Sequence, residues 1–337
     1  MKRTLLSTAA ALLCLPLLCQ EAEDSGNHAQ LLIVPRLEYN PYFAGGESPE
    51  HTLGASALYT FLDGDITENL SFSICNHWLS GEPAALYQNT LRSDSTNWLD
   101  WANLTYSFNG FAITVGKQAA KIAAFEYDPC DVESDFAFGT SLYNNLPGYQ
   151  WGGDFSYTLK DGCNTFGAQI LTSPYGEKPF ASGRYMFTGY WRGEFDIYSA
   201  TCEYTTIQQT EKGGYDRFLS IGQMLSLDAL TLELDYVTPF TDYCIFAPKH
   251  ALRGMVTYTP SESVEVALKG CWESSGSALY DFDESGLCGS KIGGGVRLHP
   301  LKNKKLMTIQ LLGGYLFQAQ AATVIAGVTF NIPVQIY

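Results

Sequence analysis

The chain is poor in charge. Asp, Glu, Lys and Arg together make up 16% of its 337 residues, whereas an average soluble domain carries about a quarter. Beyond residue 18 no stretch approaches the ~18 unbroken apolar residues that a spanning helix needs, so no membrane helix is expected in the body of the chain. Signatures of common enzymes are missing as well: GxSxG, GxxxxGK[ST], HExxH and the dinucleotide-binding GxGxxG do not occur. The five histidines, His28, His51, His77, His250 and His299, contain no metal-ligand pair. Past the N-terminal segment the cysteines are Cys75, Cys130, Cys163, Cys202, Cys244, Cys271 and Cys288, with no CxxC spacing among them. Neither a metal nor a cofactor is therefore expected. Basic residues are also few, 20 against 35 acidic, for a net charge of −15, which argues against nucleic acid as a partner.

The first residues read as an address. Lys2 and Arg3 precede an uncharged, Leu- and Ala-rich run from Thr4 to Leu18, and polarity returns at Gln20, Glu21 and Glu23. This is the pattern of a secretory signal peptide over residues 1–19, cut between 19 and 22. Its removal takes two basic residues and leaves 18 basic against 35 acidic. Leu18 directly before Cys19 makes a poor lipid-attachment box, and the apolar run is shorter than the ~20 residues of a spanning anchor. An exported chain is permitted disulfides. With seven cysteines, at least one stays free or pairs between chains, and most read as small strand or loop residues.

What the chain has in quantity is aromatic residues, with 21 Tyr and 19 Phe, and 32 Gly. These go with alternation of period two. Leu230-Thr-Leu-Glu-Leu-Asp-Tyr236, Val264-Glu-Val-Ala-Leu-Lys269 and Leu70-Ser-Phe-Ser-Ile-Cys75 each present one apolar and one polar face. About sixteen such segments run from 30–39 to 322–333, and no helical stripe interrupts them, so the class is all-β. The connections alternate in length. Short ones carry tight-turn chemistry: Asp63-Gly64-Asp65, Asn109-Gly110, Lys160-Asp161-Gly162, Arg192-Gly193-Glu194, Pro260-Ser261-Glu262 and Pro300 to Lys304. Between them lie long ones at 40–50, 80–96, 120–148, 174–182, 207–214, 240–249 and 274–288. A soluble sandwich has no reason to keep that alternation. A transmembrane up-and-down barrel does, with residues 28–337 forming one antiparallel domain that closes on itself because lipid cannot satisfy a bare peptide group.

On that reading Leu230, Leu232, Leu234, Tyr236, Val264, Val266, Leu268, Ile292, Val296 and Leu298 face lipid. Tyr59, Trp78, Trp98, Tyr106, Tyr157, Tyr258, Trp272 and Tyr315 are candidates for the interfacial girdles. The inner face receives Arg36, Glu38, Asp154, Glu233, Asp235, Arg253, Glu265, Lys269, Lys291 and Arg297, which either put a transverse field across open water or pair to fill a closed lumen. The longest connection, 120–148, holds Glu126, Asp128, Asp131, Glu133 and Asp135. Folded inward it places carboxylates at a constriction that favours cations. Left outside it is a solvated acidic loop, with calcium a conceivable guest. A barrel hydrolase needs a His–Ser pair, for which His77 with Ser56 or Ser73 share the inner face.

Residues 101–118, Trp-Ala-Asn-Leu-Thr-Tyr-Ser-Phe-Asn-Gly-Phe-Ala-Ile-Thr-Val-Gly-Lys-Gln, followed by Phe125-Glu-Tyr-Asp-Pro-Cys-Asp-Val-Glu133, resemble the phosphate-selective porin O/P-like superfamily: a strand, an Asn-containing tight turn, and a strand ending in Gly116-Lys117-Gln118 just before the large third loop. The amphipathic final strand that stops at Tyr337 is similar to the assembly signal of bacterial outer-membrane barrels. The resemblance implies a sixteen-stranded porin of the bacterial outer membrane, in contact with its lipid, with a homotrimer as the implied assembly. It also implies a passive path for small hydrophilic solutes or ions. The superfamily's basic ladder is thin here, so the expected preference is weakly cationic. The second reading is a plugged surface barrel that binds a partner through its long outer loops.

Overall fold

The computed structural model describes residues 29–46, 48–53, 56–80, 99–128, 138–146, 148–176, 180–209, 213–240, 250–274, 289–301 and 306–336. The expected signal segment lies outside them. Strand segments follow in chain order as β1 (Ala29–Ala44), β2 (Glu50–Thr52), β3 (Ala57–Thr67), β4 (Leu70–Ser80), β5 (Leu99–Phe108), β6 (Phe111–Ala119), β7 (Tyr149–Thr158), β8 (Asn164–Thr172), β9 (Tyr185–Phe195), β10 (Tyr198–Gln208), β11 (Tyr215–Leu227), β12 (Leu230–Pro239), β13 (Ala251–Ser261), β14 (Val264–Glu273), β15 (Lys291–Leu298), β16 (Met307–Leu316), β17 (Ala321–Phe330) and β18 (Ile332–Ile336), with one short helix α1 (Ser141–Asn145).

Every neighbour pair is antiparallel, and the ladder closes on β1. Arg36 of β1 stands opposite Ala57 of β3 on one edge and Thr329 of β17 on the other. β2 meets the same edge of β1 farther along, with Pro41 opposite His51. β18 continues β17 past Asn331, with Ile33 opposite Ile332. Each of those two pairs of segments is one interrupted stave, so the eighteen segments make a closed barrel of sixteen staves. Closure leaves no strand edge to face lipid.

The sequence makes this barrel inside-out. On β14, Val266, Leu268 and Trp272 are exposed while Lys269, Cys271 and Glu273 between and beyond them are buried. Leu232 and Leu234 on β12, and Ile292 and Leu298 on β15, are exposed in the same way. An outward belt of apolar side chains around a charged interior is the reverse of a soluble protein and matches lipid outside. Trp78, Tyr106, Tyr258, Trp272 and Tyr315 lie on that outer face. Tyr59 does not: it shares the inner face with Phe61 and is 8% exposed, next to a bulge in the β3–β4 ladder. Trp98 is outside the described residues.

Three expected turns moved, Pro260-Ser261-Glu262 by the least, since Pro260 and Ser261 end β13 and the reversal falls at Glu262-Ser263. Asp63-Gly64-Asp65 is inside β3, and the chain reverses at Glu68-Asn69, where Thr67 Oγ1 accepts the N–H of Asn69 and of Leu70. Arg192-Gly193-Glu194 is inside β9, and the reversal falls at Asp196-Ile197, with Asp196 in the left-handed region at φ 43°. Asn109-Gly110 is a turn as expected, with φ 48° and 85°, the mirror-image geometry that suits twisted hairpins. These short turns gather at one end of the barrel together with the start of β1. The strand ends that the long connections join lie at the other.

Candidate functional site

From Ala119, at the long-connection end, the chain turns into the bore instead of outward. Residues Ala120 and Ile122 to Phe125 are at most 2% exposed. The backbone of this stretch is held by the inner face. Lys121 donates its N–H to Gln169 Oε1 of β8 (3.0 Å) and accepts Thr205 Oγ1 of β10 at its carbonyl (3.1 Å). Three successive amides then donate to three neighbouring staves: Ala123 to Ser220 Oγ of β11 (3.0 Å), Ala124 to Glu203 Oε2 of β10 (3.0 Å) and Phe125 to Asp235 Oδ1 of β12 (3.2 Å). Ala123 and Ala124 take φ of 63° and 59°. Left-handed backbone costs a non-glycine residue ~1–2 kcal/mol, and here it turns consecutive N–H groups toward the carboxylates, as in the concave anion sites built from successive amides.

A 3-10 turn over Ala124–Tyr127 delivers Glu126. Its carboxylate accepts the N–H (2.7 Å) and Oγ1–H (2.6 Å) of Thr140 and lies 3.8 Å from Arg253 Nε. Arg253 also pairs with Glu233 and Asp235 through Nη1, so one guanidinium serves three carboxylates. Asp128 pairs with Arg192 of β9 (2.8 Å), whose guanidinium lies over the Phe125 ring at 5.2 Å.

Past residues 129–137, which lie outside the description along with Asp131, Glu133 and Asp135, the chain is again inside the bore. Phe138 sits against Gly293 of β15 and Gly314 of β16, where an added Cβ would fall 2.3 Å and 2.2 Å from its ring. Lys291 Nζ donates to the Gly139 carbonyl (2.7 Å), and Ser141 N–H donates to Glu273 Oε1 (2.7 Å). Thr140 caps α1 by accepting the N–H of Tyr143 (3.1 Å). Leu142 and Leu146 of this helical turn pack with Ile122, Ile207, Phe218 and Val237 as a core inside the barrel. At ~1.5–3 kcal/mol per fully buried large aliphatic side chain, that core and the polar anchors together seat the loop on β8 to β16.

Elsewhere on the inner face charged groups meet each other. Arg36 pairs with Glu38, which also receives Gln310 Nε2 and donates its own N–H to Ser56 Oγ at 2.7 Å. Arg297 pairs with Glu265, their side chains 18% and 24% exposed. His77 Nδ1 lies 2.6 Å from Asp100 Oδ1, and Trp101 Nε1 donates to Ser73 Oγ (2.7 Å). The serines considered as partners for His77 thus bond Trp101 and Glu38. Asp154 accepts the Tyr190 hydroxyl at 2.8 Å, and Lys269 is buried on β14. Among the described residues no three of His, Cys, Asp and Glu are grouped to hold a metal ion.

Glu203 and Glu273 were not singled out in the sequence, although each sits in a period-two row, Thr201-Glu203-Thr205 and Glu265-Lys269-Glu273, that marks the inner face. Arg192 was hidden by its placement in a turn. Nothing in the sequence pairs Phe138 with Gly293 and Gly314.

No protein-family model matches the chain, and no curated protein matches it in sequence. Solved structures do match in fold. Salmonella typhi OmpF, in complex with daunomycin, superposes with a TM-score of 0.61 at 13% identity, covering 93% of this chain and 100% of that one. A triple mutant of the Rh. blastica porin gives 0.56 at 13%, covering 91% and 100%. OmpT, described as an outer membrane protein of Vibrio cholerae in trimer form, gives 0.55 at 9%, covering 90% and 100%. At such identities the likeness is one of fold.

Proposed function

We propose that this chain is a porin: a passive path for small hydrophilic solutes, narrowed by the segment that enters the bore after β6. The closed sixteen-stave barrel with its apolar belt is a bacterial outer-membrane protein. The observation that carries the pore reading is the docking of the two described parts of the third long connection, 120–128 and 138–146, on the inner face of a barrel whose stave number leaves room for water. Partly exposed charges in the bore, Glu265, Arg297 and Asp128 at 24%, 18% and 34%, support an aqueous lumen.

The proposed selectivity is weakly cationic. Glu126 is committed to Thr140 and Arg253, so it does not supply the preference. The stretch between Asp128 and Phe138 carries Asp131, Glu133 and Asp135 and no base, and both of its flanking residues are fixed inside the bore. The phosphate preference of the superfamily that residues 101–118 resemble is not adopted. Residues 1–19 serve as the export signal, and the assembly is a homotrimer.

Planar-bilayer recording on the purified mature protein tests this. Stepwise conductance with reversal potentials displaced toward the cation is the expected result. The absence of steps under all conditions overturns the pore and leaves a plugged surface barrel. A reversal potential toward the anion overturns only the selectivity. The mass of the detergent-solubilised assembly reports the trimer.

A further inference from the structure

The apolar belt is not uniform. On the outer face of β6 to β9 one row reads Val115, Gly153, Ile170 and Phe187, each opposite the next across the ladder. The missing side chain at Gly153 opens a groove between its exposed aliphatic neighbours Val115 and Ile170. Ile113, Phe155, Ile170 and Tyr185 wall it, and it measures about 480 Å³. Phe180, from the connection between β8 and β9, closes one side of it while 60% exposed. It does so from the left-handed region, at φ 64°, where a bulky residue is rarely found.

We propose that this groove holds one acyl chain of a membrane lipid, retained there and distinct from the freely exchanging lipid around the rest of the belt. Three features support that occupant. The groove is continuous with the lipid-facing surface, so hydrocarbon meets it without any further encounter. Its walls are apolar side chains, so an alkyl chain gains contact on several sides where a flat belt offers one. Trp151 and Tyr185 line it near the ends of β7 and β9, at the long-connection end of the barrel, the depth at which amphipathic rings border headgroups. The tail then runs toward Ile113, deeper in the belt. The inference rests on the membrane barrel and not on conduction.

The test is native mass spectrometry of protein reconstituted in phosphatidylethanolamine vesicles and released in mild detergent. Gly153 is the position to fill. Its φ is not in the left-handed region, and an added Cβ meets only Thr114 O at 3.6 Å. Wild type is expected to keep a phospholipid adduct through washing, and Gly153→Leu to show at least tenfold lower occupancy. Gly254→Leu, on the outer face of β13 with nothing nearer than 3.9 Å to its Cβ, is expected to keep it. Phe180→Ala, which leaves the sheet untouched, is expected to lower retention and so covers a misfolded Gly153 variant. Equal occupancy in wild type and Gly153→Leu, or equal loss in Gly254→Leu, overturns the proposal. So does an altered assembly mass in Gly153→Leu with the adduct retained, because the groove then seats a second copy. Bilayer conductance is expected to be unchanged in these variants, which separates this outcome from that of the pore.

Discussion

The inner face has two zones built from the same residue types and used differently. Under the docked segment, Glu203, Asp235, Glu273 and Lys291 spend their hydrogen bonds on backbone groups of another part of the chain. Around Arg36, Glu38, Arg297 and Glu265 the charges pair side chain to side chain. In the first zone each group has a fixed backbone N–H or carbonyl as a partner, Asp235 in addition to Arg253, and is nearly or fully buried. In the second, the Arg297–Glu265 pair keeps contact with solvent. A charge on the inner face therefore does not mark the proposed conducting path by itself. Its partner decides whether it holds the docked segment or stays in contact with solvent.

The largest expected break of this contrast is Arg253→Met. It leaves Glu126, Glu233 and Asp235 without their shared cation, and an unpaired buried charge costs ~3–5 kcal/mol. The docked segment should detach, so single-channel conductance rises while the urea midpoint of the vesicle-inserted barrel falls. Unchanged conductance would separate the guanidinium from the docking. Next is Gly293→Ala, whose Cβ meets the Phe138 ring. Overpacking of this kind costs ~1–3 kcal/mol. The penalty should largely vanish in a Phe138→Ala background, and a double-mutant cycle measures that coupling. Additive costs would mean the glycine is needed by its own stave and not by the ring.

The sequence made the outer face of the barrel legible because lipid imposes one rule on every stave. Leu232, Leu234, Val266, Leu268, Ile292 and Leu298 could be assigned from alternation alone. The inner face obeys no such single rule. Alternation puts Asp235 and Arg253 inside, but the amide of Phe125 that Asp235 accepts is 110 residues away in sequence. Nor do two consecutive alanines announce left-handed backbone, as Asn109-Gly110 does. The turn at Asp196-Ile197 was misplaced for a related reason: Gly193 looks like a turn residue, yet it stands inside β9 beside the rings of Trp191 and Phe195. Glycine in this barrel makes room for rings as well as turns.

The second zone should be more forgiving. Arg297→Met removes the partner of Glu265, but both side chains retain solvent contact. A partly exposed ion pair is worth at most ~1 kcal/mol. The urea midpoint should shift far less than for Arg253→Met. If the pair borders the conducting path, the reversal potential should move further toward the cation. A stability loss as large as that of Arg253→Met would erase the distinction between the zones.

The smallest effect is expected outside the bore altogether, in the turn between β7 and β8. Asp161 there accepts the N–H of Cys163 (2.9 Å) and of Asn164 (3.2 Å), the same carboxylate-on-amide contact that Glu203 and Asp235 make inside. The Cys163 N–H, followed by the Asn164 side chain, holds its carboxyl below the usual carboxylate range. Because the folded value is lowered, the contribution of Asp161 is full above the unfolded value of ~3.9. It disappears as pH falls through the folded one. Asp161→Asn keeps an acceptor oxygen and loses the charge. Its urea midpoint should therefore lie slightly below wild type at neutral pH, and the two curves should merge in acid. The gap should be much smaller than those produced inside the bore, since water competes for this turn. Coincident curves at every pH would mean that a carboxylate on amides contributes nothing measurable in water. Its hold on the docked segment would then come wholly from the exclusion of solvent around Glu203 and Asp235.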